Sequence, residues 1–110
     1  MSKRNHHRII KKEITEWILS NLEIFLALMQ VSKTDFAHLL GETRESLWHV
    51  LSGRYKLSGK WVIAVFFAID YICSKKYEEG KSNTKEYETA LNLIEPMAYY
   101  ARHIEEIYED

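Results

Sequence analysis

The stretch from Ser32 to Gly53, SKTDFAHLLGETRESLWHVLSG, carries two helix starts and two helix stops in close succession. Ser32 is a good N-cap residue, and Asp35 three positions later makes an S-x-x-D form of the capping box. Phe36, Ala37, Leu39 and Leu40 follow at helical spacing. Gly41 then supplies the left-handed position that ends a helix. Thr43 repeats the cap for a second helix, and Gly53 repeats the stop. The pattern predicts helices over Lys33–Leu40 and Arg44–Ser52, joined by a turn of about three residues. Ala37 is small enough to let the second helix cross close to the first, at the steep angle of a helix-turn-helix. Such a unit places its second helix in a DNA major groove.

The same residues resemble the phage-repressor and Cro family of helix-turn-helix proteins. The resemblance rests on Val31-Ser32 opening the first helix and Phe36-Ala37 within it. Leu40-Gly41 ends that helix, Ser46-Leu47 lies in the second, and Gly53 closes the unit. It extends over roughly Ile14 to Tyr71, with Lys33 where the family usually has Gln. Leu51-Ser52 stands where a Glu often precedes the closing Gly, and Lys56-Leu57 where a Pro often follows. The resemblance implies a compact four-helix domain, double-stranded DNA as partner, and homodimers that read paired half-sites.

Composition sets the frame around this unit. A chain of 110 residues makes one domain and buries roughly two-thirds of its unfolded surface, enough for a core without metals or disulfides. A hydrophobic content of 46% excludes a disordered chain. The one cysteine, Cys73, allows no intrachain disulfide and reads as an inert core thiol in a reducing compartment. The longest apolar run, Trp61 to Cys73, spans 13 residues and includes Asp70, which fits a buried helix rather than a membrane span. No signal-peptide apolar region precedes Lys11, Lys12 and Glu13, so a cytoplasmic location is expected.

An all-α fold is expected, because no period-2 alternation or hairpin turn occurs. Residues 1–12 form a basic arm with Lys3, Arg4, Arg8, Lys11 and Lys12 and no acid. Residues 13–76 form the helix-turn-helix domain. Its first helix, about Lys12–Gln30, has Ile14, Trp17, Ile18, Phe25, Leu28 and Met29 on one face. A fourth helix over about Gly59–Lys75 is apolar nearly all round and is expected in the middle of the bundle. Residues 83–110 form a long C-terminal helix, kinked or divided near Pro96. Ala90, Ile94, Met97, Ala101, Ile104 and Tyr108 recur there at heptad seam spacing. That seam packs on the chain's own core or forms a dimer contact, through Ile94, Met97, Tyr100, Ala101, Ile104 and Tyr108.

On the second helix of the unit, Leu47, Val50 and Leu51 should face inward, leaving Arg44, Glu45, Trp48, His49 and Ser52 outward. Arg44 suits guanine O6 and N7, Glu45 can accept from cytosine N4, and Trp48 can meet a thymine methyl; His49 completes the base-contact set. Trp48 has a second reading, as a lid folded back on the core. Lys33, Thr43, Ser52, Arg54, Lys56 and Lys60 flank this helix as phosphate contacts. The basic arm either lies along the DNA or hangs free.

Enzyme signatures are missing. Gly53 and Gly59 enclose five residues rather than the four of a phosphate loop, and Trp61 stands where Ser or Thr would hold magnesium. His6, His7, His38, His49 and His103 lack metal-site spacing, so no metal and no cofactor are expected. The sequence therefore reads as a repressor-like, sequence-specific DNA-binding transcriptional regulator. The rival class is a protein-interaction module on the same fold, such as an antitoxin-like neutraliser or an inhibitor of a nucleic-acid enzyme.

Overall fold

Helix ends in this chain are written in its hydroxyls and glycines. The structure is a computed structural model that describes residues 3–109, with side chains from residue 6 onward. It is all-helical: α1 (Lys3–Met29), α2 (Lys33–Leu39), α3 (Arg44–Leu51), α4 (Gly59–Glu78), α5 (Lys85–Ile94), α6 (Ala98–Arg102) and α7 (Ile104–Ile107). Ser32, Thr43, Ser58 and Thr84 cap α2, α3, α4 and α5, each accepting from the backbone N–H three residues on, at 3.0–3.3 Å. The C-terminal ends are equally local. Gly41 (φ 73°) and Gly53 (φ 82°) are left-handed. Glu42 N–H then donates to the Ala37 carbonyl at 2.9 Å, and Arg54 N–H to that of His49 at 3.0 Å. These are Schellman closures, which a Cβ would strain. Gln30 ends α1 the same way at φ 58°, without a glycine's freedom.

Burial follows the helical period. Ile14, Ile18, Leu22 and Phe25 of α1 are at most 1% exposed, and Trp17, Leu26 and Met29 widen that face. Val62, Val65, Ala68, Ile69 and Ile72 of α4 join them, with Phe36, Ala37 and Leu47 from α2 and α3. Trp17 lies 6.2 Å from Phe66 in a stacked pair, and its indole N–H donates to the Leu93 carbonyl at 3.1 Å. That bond ties α1 to the end of α5. Among the described residues no single helix is long and apolar enough to cross a membrane.

Three expectations change. The segment 1–12 is no arm where it is described: α1 starts at Lys3, and both His7 and Ile10 are buried. Lys11 lies over the Tyr108 ring at 5.2 Å, so packing against the C-terminal region holds these turns. The side chains of Lys3 and Arg4 fall outside those described. Second, α4 is not wrapped all round. Phe67 and Tyr71 are about half exposed, at 56% and 51%, so one face meets solvent.

Third, the C-terminal region is not one long helix. Pro96 sits in a 3-10 turn over Glu95–Met97, because its ring and missing N–H end the α-helical ladder. His103, at φ −118°, breaks the chain again. The seam residues fold back on their own molecule: Ala90, Met97 and Ile104 are buried, and Tyr100 donates to Glu13 of α1 at 2.7 Å. Tyr108 takes the Lys11 ammonium on its ring. Ile94, Tyr100, Ala101 and Tyr108 stay half-buried, and Ile94 and Ala101 line a groove with Phe66, Ile69, Cys73 and Leu91. Of the two alternatives for this seam, Met97 and Ile104 take the first, packing on the chain's own core.

Cys73 is half-buried in that groove. Burial, with the nearby Asp70 carboxylate, pushes its thiol up to about 11. At pH 8 the thiolate is then about one part in a thousand, and the thiolate is the reactive form. Alkylation of the folded protein should be slow at pH 8 and keep rising to pH 11, while the urea-unfolded chain reacts readily at pH 8. Equal rates for folded and unfolded protein at pH 8 would show an ordinary exposed thiol.

Candidate nucleic-acid interface

The short helix α3 is anchored on one side and open on the other. Leu47 and Val50 are 1% and 3% exposed, and Leu51 is half-buried. α2 packs against α3, with Phe36 and Ala37 fully buried. Ala37 contributes no side chain beyond Cβ, so the two helices can approach closely. The opposite face of α3 carries Arg44 and Glu45, both exposed, and Trp48 at 48%. Trp48 is thus not sealed into the core as a lid.

Trp48 ends a row of ring contacts and carries one cation on its own ring. The Arg54 guanidinium lies 5.0 Å from the Trp48 ring centroid. His49 meets Trp48 edge-on at 5.1 Å, and Tyr55 at 4.9 Å on its other flank. The His49 side chain is only 19% exposed, with Nε2 at 3.8 Å from the Glu45 carboxylate. Its Nδ1 is buried without a hydrogen-bond partner among the described residues. His49 therefore does not present itself as a base contact beside Arg44; it is the support on which Trp48 and Tyr55 rest. Tyr55 was missed in the sequence. Its only signal is an aromatic residue two positions after the closing glycine, the place where a chain leaving α3 turns back over its last turn.

The flanking cations and hydroxyls sort differently from expectation. Thr43 and Ser52, both exposed, use their hydroxyls locally. Thr43 caps α3 and also donates to Ser46 Oγ at 3.0 Å, while Ser52 donates to the His49 carbonyl at 3.0 Å. Lys33 pairs with Glu23 of α1 at 3.1 Å, so an incoming phosphate would have to displace a carboxylate. Lys56 shares a hollow of about 350 Å³ with Lys11, Ser58, Gly59 and Tyr108. The chain thereby brings the basic start of α1 next to the loop after α3, at the N-terminal end of α4. Lys60 is exposed in the first turn of α4, beside Leu40, Glu42, Trp61 and Ala64.

The same surface holds no metal-site constellation. Among the described residues no three His, Cys, Asp or Glu side chains are grouped to hold an ion. No protein-family model, curated protein or solved structure matches this chain.

Proposed function

We propose that the chain is a helix-turn-helix DNA-binding regulator that inserts α3 into the major groove of an operator. The observation that carries this reading is the two-sided character of α3. Leu47 and Val50 fix it from within, and caps at both ends set its length. Arg44, Glu45 and Trp48 are left facing solvent on a rigid element. Arg44 in the first turn is the base contact, a forked donor matched to guanine O6 and N7. Lys56, Lys60 and Lys11 supply the backbone contacts around it, where charge positions the protein without reading sequence. With a formal net charge of only −1, affinity for phosphate has to come from this local clustering. A second copy is the proposed partner for a two-fold site, through a surface other than buried Met97 and Ile104.

The test is binding to duplex DNA at two salt concentrations, with Arg44→Ala alongside. Contacts to three or four phosphates should give a log–log salt slope of about −3. Arg44→Ala should cost about 1–3 kcal/mol on a selected site and relax preference at one base position. A flat salt response would remove DNA from the reading.

The protein-interaction reading draws on a different observation. Half-exposed Trp48 lies against Arg54 and is linked through His49 to exposed Tyr55, which brings together the three residue types that most often dominate protein interfaces. Loss of a protein partner in Trp48→Ala, with no duplex bound by the parent chain, would favour it.

A further inference from the structure

Arg54 differs from the other cations around α3. Its backbone is fixed to the helix, since its N–H donates to the His49 carbonyl at 3.0 Å and the Tyr55 N–H to the same oxygen at 3.3 Å. Its side chain pairs with no carboxylate among the described residues. The guanidinium instead sits over Trp48 at 5.0 Å. Contact with a ring face leaves the in-plane N–H donors of a guanidinium available and limits its freedom, which an exposed lysine lacks. A phosphate contact needs only a charge. A held fork with unspent donors matches the paired acceptors of a base edge.

We propose that Trp48 and Arg54 read adjacent bases as a unit, a 5-methyl pyrimidine followed by guanine. The indole of Trp48 meets the 5-methyl group, and the Arg54 fork donates to O6 and N7 of the neighbouring guanine. The spacing supports a step rather than two separate positions. Successive bases rise about 3.4 Å along a strand, so groups 5.0 Å apart reach neighbouring pairs. His49 meets the Trp48 ring edge-on and is itself backed by Tyr55, so the reader is formed before DNA arrives. Thymine and 5-methylcytosine carry the same methyl, and both fit. This assignment rests on the DNA-binding reading above and moves Arg54 from the phosphate set to the base set.

The test starts from duplexes selected by the full chain out of a random library. Each thymine is then replaced by deoxyuridine, which removes only the methyl, and each guanine by 7-deazaguanine, which removes N7. One thymine should lose about fourfold in affinity, the value of one buried methyl, and lose nothing with Trp48→Ala. Refilling that position with a 5-methylcytosine–guanine pair should bind better than its unmethylated form. The guanine beside it should lose about tenfold with the parent chain and nothing with Arg54→Ala. Arg54→Lys should not restore it, and Trp48→Phe should keep part of the methyl response. Melts of each variant check that folding is intact. If Arg54→Ala weakens all duplexes alike and flattens the salt slope, Arg54 touches phosphate and the inference fails while DNA binding stands. Indifference to every methyl overturns the Trp48 half. If no duplex is enriched, the DNA-binding reading itself falls, and this inference with it.

Discussion

Removing residues 1–12 is expected to lower the melting temperature by on the order of 10–15 °C, the effect of losing about 3 kcal/mol in a domain of this size. A purely sequence-based view of a basic arm would expect almost no change. The structure reverses that expectation. Ile10 is 6% exposed and His7 8%, both inside the fold rather than in solvent. The deletion also strips Lys11 from the Tyr108 ring and shortens the support beneath α7. Ile10→Ala alone should cost roughly 2–3 kcal/mol, the lower part of the range for a buried Ile. That single substitution keeps the question open should the truncated chain aggregate. Thermal melts of the three proteins at one concentration decide it: a truncated chain within about 2 °C of the parent would mean these turns contribute no packing.

Neighbouring substitutions in α3 are expected to part company. Leu47→Ala should destabilise by roughly 2–5 kcal/mol, because a fully enclosed side chain leaves a cavity that the surrounding helices fill only partly. Trp48→Ala should leave the melt nearly unchanged, since about half of that residue already meets solvent. Its effect should appear instead as about tenfold weaker binding to a selected duplex, through lost apolar contact. Melting curves and binding isotherms on the same preparations separate the two. If both variants melt equally early, Trp48 supports the fold and the outward face of α3 has been misjudged.

The paired caps explain why α2 and α3 were legible to within one residue at either end. Ser32, Gly41, Thr43 and Gly53 act through hydrogen bonds spanning five residues or fewer, so the information sits next to its consequence. The inward positions Leu47 and Val50 were legible for a similar reason, because a helix's period is local. The capping role of Thr43 was readable too, though its hydroxyl had also been assigned to a phosphate; one oxygen was asked to do two jobs.

Other features depended on residues far along the chain. The heptad spacing of Ala90, Met97 and Ile104 announced a seam, but a periodic stripe does not say what covers it. α1 packs on α5 and α7 here, which makes Ala90 and Ile104 part of the chain's own core. The first turns of α1 have no apolar period before Ile9. They are helical in the fold because Ile10 and Lys11 find burial and a ring nearly a hundred residues later. His49 lies on the expected face of α3, yet Tyr55 and Trp48 enclose it. The ends of α2 and α3 and the apolar faces of the helices were legible in the residues, since both follow from short-range bonds and periodicity, whereas the start of α1 and the break at His103 were not. Only the tertiary structure decided which apolar faces meet each other, and which polar side chains are spent inside the molecule, because burial is a property of partners brought together by the whole chain.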